Sequence, residues 1–586
     1  MRALSGLTVI ALLSPLSLSA QAAPVSAPAG PWKVFERPRT RAAQPTTAEI
    51  TPDDLMSRLY PFADDSMGGR NLGEIGNVKG TDFIAREAQR LGLKPAGERG
   101  TFFQTIPVFT RTLDESRKVS IGMTTLTPWT DFVPRDMGGG QRSVENVPVV
   151  YGGNWTVAAS LISPDSVEGK LVVLSVPQGP TAIGPPGTAN RFGLTRYYRK
   201  AAGIAVAGLD QIGSQYVAEN FRGGNQEYRD GEGASVPSFM YVTRRVAGLL
   251  LGRSVDSVAT GTRGEGGFSA APAFGERPIE HPGRNVVGII EGSDPALKGQ
   301  YVLLGAHNDH VNYHPPAGAH DSLYVLNHLW REGGLDDPDP PMPAARVDSL
   351  NALLALIRQE TGGRSARPDS IYNGADDDGS GSMGLLEIAE WFSKGRVKPK
   401  RSLLFVWHVA EEAGLFGSEY FSNHPTVPRD SIVAGLNMDM IGRGSSSDVT
   451  GNTKEGGRIR GNQNYLQLVG SRRVSTELGD LAERVNVSGK FGLVFDYSMD
   501  ANGHPQNIYC RSDHYNYARF AIPIIFFTTG GHADYHMVTD EPQYIDYSRL
   551  TRVTRFVATL AETVAGLDRR PLVDKPKPDP RGECVQ

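Results

Sequence analysis

All twelve histidines of this chain lie beyond residue 280, interleaved with acidic motifs: His307-Asn308-Asp309, Gly374-Ala375-Asp376-Asp377-Asp378-Gly379, Glu411-Glu412, Asn437-Met438-Asp439 and Tyr535-His536. Imidazoles and carboxylates in this proportion are the ligand inventory of a two-metal centre, whose chemistry is the activation of water against a carbonyl or phosphoryl group. Three adjacent carboxylates at Asp376, Asp377 and Asp378 repel one another, and a cation removes that repulsion. A cap on the helical stretch around Leu385, Ile388, Ala389 and Phe392 accounts for one Asp, not all three. His307 follows the apolar run Val302-Leu303-Leu304, and Asp309 is placed to orient its ring by accepting the other N–H. Glu411-Glu412 follow the run Leu403 to Val406. Neighbours on extended backbone point opposite ways, so one can ligate a metal while the other faces a water. Each motif alone has an ordinary reading: a structural histidine at 307, a solvated pair at 411–412, a turn at Asp439, a core histidine at 536. Five such coincidences in this order are improbable.

The elements that must position these groups can be read from the apolar pattern. After Arg284, β-type runs at Asn285 to Ile290, Tyr301 to Leu304, Leu403 to Val406, Ile432 to Leu436 and Ile522 to Phe527 alternate with helical stretches. This pattern predicts an α/β fold, a mixed, mostly parallel sheet with helices on both faces. Each candidate ligand falls just past a strand end or in the loop that follows, where open α/β sheets gather their functional groups. Upstream, Thr81 to Leu91 places Ile84, Ala88 and Leu91 on one helical face and stops at Gly92. Between 138 and 278 the texture changes to short β runs with Gly/Pro punctuation, including Lys170 to Val176, Ala201 to Gly208 and Val236 to Val242, which predicts a β-rich insertion. The expected organisation is therefore a signal peptide at 1–22, an extended lead-in at 23–47, the first part of the catalytic domain at 48–137, the insertion at 138–278, the catalytic domain proper at 279–570 and a flexible tail at 571–586.

Length and composition bound the reading. A chain of 586 residues exceeds what one core usually organises, so more than one lobe is expected. A formal charge of -4 and the absence of a Lys/Arg stripe argue against nucleic-acid or anionic-membrane partners. Met1-Arg2, the apolar stretch Leu7 to Leu18 and Ala20-Gln21-Ala22 predict export, periplasmic or secreted, with cleavage before Ala23. The stretch contains Pro15 and is shorter than the ~20 residues of a membrane span. Cys510 and Cys584 are the only cysteines, which excludes a disulfide framework; one bridge or two free thiols remain open, with free thiols the ordinary expectation.

The segments Tyr301 to His310, Asn373 to Gly381, Glu411-Glu412 with Gly417-Ser418, Asn437 to Gly442, Ser512-Asp513-His514 and His532 to His536 resemble the zinc metallopeptidase family of bacterial leucyl aminopeptidase, aminopeptidase Y and glutamate carboxypeptidase. Residues 149–252 resemble the protease-associated domain often inserted in that family. The resemblance implies two zinc ions per chain. His307 and Asp439 would hold one, Glu412 and His536 the other, with Asp376 bridging and the peptide after it cis. It also implies Glu411 as general base, with Asp309 orienting His307. Asp513 and His532 are candidates for the pocket wall, while His310, His408, His424, His504 and His514 are not expected as ligands. The segment between His307 and Asp376, with His314, His320, Asp321, His328 and Asp336-Asp337, is longer than the family pattern and reads as a lid, a subsite loop or a surface excursion. The implied activity is peptide hydrolysis by an aminopeptidase. A carboxypeptidase, in which Arg443 or Arg511 would meet a substrate carboxylate, remains open. So do a glutaminyl cyclase of the same fold and a non-catalytic, receptor-like module. Oligomeric state is not legible.

Overall fold

A computed structural model describes residues 37–586 apart from 136–139, 178–193, 196, 213–216, 218–221, 223, 229–234, 271–273, 312–317, 332, 335–343, 361–367, 396–397 and 583. The predicted signal peptide, most of the lead-in, His314 and Asp336-Asp337 lie outside the described residues.

The predicted apolar runs form the centre of a nine-stranded mixed sheet. Arg284–Ile290 runs antiparallel to Ser402–His408, which is parallel to Tyr301–His307; Ile432–Met438 and Ile524–Thr528 continue in parallel. Beyond them lie Tyr465–Val469 and Val494–Asp496, which the sequence pattern did not isolate. Their runs are short, and buried Gln467 interrupts the first; its amide donates to the Thr450 carbonyl. The central strands are buried along their length because helices cover both faces, which is why they read as continuous apolar runs rather than alternating ones.

The helix Gly379–Lys394 lies against this sheet and against Tyr547–Gly566. Its first turn is Gly379-Ser380-Gly381-Ser382, and a Cβ at Gly381 would stand 2.4 Å from the Met438 carbonyl oxygen. Small residues there let the helix start touch the strand end, which carries the Asp376-Asp377-Asp378 loop to the edge of the sheet. Buried Arg58 pairs with Glu87, Glu387 and Glu390 and ties the helices Pro52–Phe62, Ile75–Leu91 and Gly379–Lys394 together. Ile75–Leu91 ends at left-handed Gly92, as its pattern predicted.

A second body has its own sheets and cores. Phe132–Arg135, Ser238–Val242, Gly203–Ala207, Leu171–Ser175 and Val149–Asn154 make a five-stranded sheet, with apolar clusters on each side. A four-stranded sheet that includes Val119–Ile121 and Phe268–Ala270 packs on one of them. This body therefore includes strands that precede residue 138, Val119–Ile121 and Phe132–Arg135.

Two further expectations are corrected. Cys510 and Cys584 form a disulfide, so neither is a free thiol. The stretch 571–586 is not loose throughout. Leu572 N–H donates to Glu477, Asp574 accepts from Thr476 N–H, and Gln586 is buried. Among the described residues no helix is long and apolar enough to cross a membrane.

Candidate metal centre

Five separate elements deliver the site. His307 ends its strand in register with His408, and its backbone N–H donates to Asp378 Oδ2. Its Nε2 lies 3.1 Å from Asp377 Oδ1 and 3.5 Å from Asp439 Oδ1. Asp439 follows Ile432–Met438, and its other oxygen accepts a hydrogen bond of 2.8 Å from the Ser512 hydroxyl. On the far side of Asp377, Oδ2 lies 3.0 Å from His536 Nε2, which is 3.2 Å from Glu412 Oε2. The Asp377 carboxylate thus places one oxygen in each of two histidine–carboxylate groups.

These separations match the edges of a coordination shell, since zinc–nitrogen and zinc–oxygen bonds of roughly 2.0–2.2 Å put neighbouring tetrahedral donors about 3.3 Å apart. His307 Nε2, His536 Nε2 and Asp377 Oδ2 are buried without a well-formed hydrogen bond. Donor type, spacing and burial therefore all fit a pair of zinc ions. His310 joins the second group: its Nδ1 is 2.9 Å from Glu412 Oε1 and 3.6 Å from Asp377 Oδ2. His310 was not expected as a ligand; its position three residues after His307, just past the same strand end, is the signal in the sequence that places it here.

The three aspartates divide three tasks. Asp378 caps Gly379–Lys394 by accepting from Gly381 N–H, and also accepts from Met440 N–H. Asp377 stands between the two groups. Asp376, expected to bridge, turns away: it accepts from Gly442 N–H at 2.7 Å and faces His532 Nε2 at 3.3 Å. The cis peptide is Asp377-Asp378, one residue later than expected. Identical neighbours gave the sequence no means of fixing this register. Asp540 and Arg70 were also not anticipated. Asp540 accepts from the N–H groups of both Asp376 and Asp377, and buried Arg70 donates to the Asn373 and Gly374 carbonyls, so both hold the loop.

Glu411 and Glu412 are driven apart electrically. Burial, reinforced by Asp439, Glu412 and Asp513 against the pull of His307, holds the Glu411 carboxyl well above the usual range. For Glu412, burial and Asp377 push upward, but His536 and His310 outweigh them and hold it down to about 2. Asp309 accepts from Glu411 N–H at 3.2 Å, and burial pushes it up to about 7. Its backbone carbonyl, 3.1 Å from His307 Nδ1, is nearer that ring than its carboxylate at 3.8 Å. The carbonyl is therefore the group placed to orient His307.

A cavity of about 470 Å³ opens on the site, with Asp377, Glu411, Glu412, Asp439 and His536 among its lining residues. The rest is mixed: Met440, Val449, Met499, Ile508 and Phe526 alternate with Asn452, Gln467, Gln506, Arg511 and Thr528. Neither expected wall residue lines it. Asp513 is turned into the protein against His408 Nδ1 at 3.3 Å, and His532 is turned against Asp376. Arg443 is buried in an ion pair with Asp534, whereas Arg511 does line the cavity.

The long segment after His307 docks beside the site. Its helices His320–Trp330 and Ala344–Glu360 pack together, Tyr324 stacks on Tyr544, Asn327 donates to Thr539, and Gly333 reaches the cavity. It leans on the loop that carries His536.

Residues 345–561 match the model of Peptidase family M28. Leupeptin-inactivating enzyme 1 of Streptomyces exfoliatus is 44% identical over 77 residues, 13% of this chain and 18% of that protein. An aminopeptidase of Pseudomonas aeruginosa is 34% identical over 147 residues, 22% of this chain and 27% of that protein. The matches thus span under a third of either relative's length. Among solved structures, an aminopeptidase from Aneurinibacillus sp. strain AM-1 aligns over 90% of this chain and 97% of its own, with 14% identity and a TM-score of 0.46. A zinc aminopeptidase from Bacillus subtilis aligns over 88% and 95%, with 13% identity and a TM-score of 0.43.

Proposed function

On the premise that the region 345–561 belongs to Peptidase family M28, a zinc metallopeptidase family, we propose that this protein is an exported dizinc exopeptidase releasing residues from free peptide N-termini. The observation that carries the reading is the Asp377 carboxylate, with an oxygen in each of two histidine–carboxylate groups beside a substrate-sized cavity. His307, Asp377 and Asp439 would hold one zinc; Asp377, Glu412 and His536 the other, with His310 orienting Glu412. Bound zinc supplies Lewis acidity and lowers the pKa of water, and the protein side chains handle the protons. Glu411, half-buried beside both groups and at the cavity wall, accepts a proton from the attacking water and returns it to the leaving amine. Asp309 keeps Glu411 in place through its backbone N–H.

The N-terminal polarity is supported by the aminopeptidase of Pseudomonas aeruginosa among the proteins this chain resembles. Arg443, one of two candidates for a substrate carboxylate, is consumed by Asp534. Export is supported by the Cys510–Cys584 disulfide, because such bonds persist mainly in oxidising compartments. The test is a peptide set with free and blocked ends, incubated with zinc-replete protein and read by mass spectrometry. Release from free N-termini, abolished by acetylation, is expected. Cleavage that ignores N-terminal blocking and requires a free C-terminus would replace this reading with a carboxypeptidase, and no cleavage at all would leave a binding module.

A further inference from the structure

One wall of the cavity, which contributes Met499, Gln506, Ile508, Cys510, Arg511 and Ser512, comes from a segment with almost no regular structure. Between 498 and 512 it contains only the short turns Ser498–Asp500 and Ile508–Cys510. A wall of this kind has no strand ladder to fix it, so its backbone groups must be held by other partners. Lys454 Nζ donates to the Asn502 carbonyl at 2.6 Å, and three further clamps are present. Arg473 Nε donates to Asp500 Oδ1 at 2.6 Å, and His504 Nε2 lies 2.8 Å from the Asn452 carbonyl oxygen. The third comes from the far end of the sequence. The buried Gln586 side chain enters between the two turns: Oε1 accepts from Tyr509 N–H at 3.0 Å, while Nε2 donates to the Met499 and Ala501 carbonyls. Its backbone carbonyl accepts from Gly503 N–H at 2.6 Å. Two residues earlier, the Cys510–Cys584 disulfide fastens the same stretch to the wall.

We propose that Cys584–Gln586 is a positioning element of the substrate pocket: it sets the place of Met499 and Ile508 and hence which terminal side chain the cavity accepts. The chemistry of Gln586 suits this role, since one amide supplies an acceptor to one turn and two donors to the other, a combination that neither Glu nor Ala offers. The opposite side leaves little slack, because a Cβ at Gly451 would stand 2.6 Å from the Met499 sulfur. A wall pressed against Gly451 and released at Gln586 moves outward. A pocket that discriminates by size through Met499 and Ile508 then loses that discrimination.

This inference rests on the exopeptidase reading, and the experiment separates the two. Leucine and alanine p-nitroanilides are hydrolysed by wild type, Gln586→Ala and Cys584→Ser, with zinc content measured on each. Wild type is expected to favour leucine. Both variants should keep their zinc while the leucine-to-alanine ratio of kcat/KM falls roughly tenfold, the worth of one or two poorly packed carbons. Wild type inert toward both substrates would sink the exopeptidase reading itself. An active wild type whose ratio survives in either variant, or whose variants lose zinc in step with the ratio, would overturn the role given to this segment. Should Gln586→Ala fail to fold, Cys584→Ser decides alone.

Discussion

Asp376 and Asp377 are chemically identical neighbours, yet the fold gives one the contacts of a bridge and the other the contacts of a strut. Asp377→Asn is therefore expected to lose zinc from both positions and with it activity, whereas Asp376→Asn keeps both ions, its oxygens facing Gly442 and His532 rather than the ligand groups. Elemental analysis of the two variants settles it, and equal losses would return the bridge to doubt. Glu411 and Glu412 divide in the same way. Glu411→Gln should retain zinc and lower kcat by about 10²–10⁴-fold, the usual worth of a placed general base, while Glu412→Gln should weaken one zinc and recover partly in excess metal. Metal analysis beside kinetics would expose reversed roles. The motifs around His307, Glu411-Glu412, Asp439 and His536 were legible because each stands at the end of an apolar run or in the loop that follows it. The register within Asp376-Asp377-Asp378 was not, since it depends on which carboxylate the loop presses against Gly442. Asp540 and Arg70 were not legible either: they act through backbone groups of another segment, a relation no local pattern records.

Among the elements, Gly379–Lys394 bears most directly on the site, because its first turn touches the Met438 strand end and carries the aspartate loop. Gly381→Ala is expected to destabilise the protein by about 1–3 kcal/mol and weaken zinc binding, since its Cβ would meet the Met438 carbonyl. Gly566→Ala, at the end of a helix with open space around it, should be neutral or stabilising by up to about 1 kcal/mol. Thermal melts of the pair check this, and similar shifts would show that the close approach is unimportant. The helix His514–Ala518 gives a pH prediction. Burial lowers the His514 pKa to about 3, and its ring stacks on Phe526. The unfolded chain takes up that proton near pH 6.5, so from there down to about 3 it binds one more proton than the folded state, and stability falls by up to ~1.4 kcal/mol per unit. His514→Phe should lose that part of the acid slope; an unchanged slope would show that His514 is protonated in the fold. The sheet itself was readable from its apolar runs. The extent of the second body was not, because Val119–Ile121 and Phe132–Arg135 are short runs before residue 138 whose partners, Phe268–Ala270 and Ser238–Val242, come far later in the chain.

At the scale of the whole molecule, the candidate metal centre is the one place where the ends of Tyr301–His307, Ser402–His408 and Ile432–Met438, the start of Gly379–Lys394 and the His536 loop converge. Ligands drawn from five elements come together only in the folded state, so zinc affinity and stability of that body are linked. The second body, with cores of its own and no residue in either ligand group, has no such linkage. Calorimetry across a series of buffered free-zinc concentrations should therefore resolve two transitions, only one of which moves. Above saturation each bound ion adds about 1.4 kcal/mol per tenfold rise in free zinc, so two ions give a slope near 2.7 and one ion half of that. Chelation should lower the same transition and leave the other where it was. A slope of one ion in wild type would remove the dinuclear assignment even if activity required zinc. A single transition that shifts as a whole would show instead that the two bodies unfold as one.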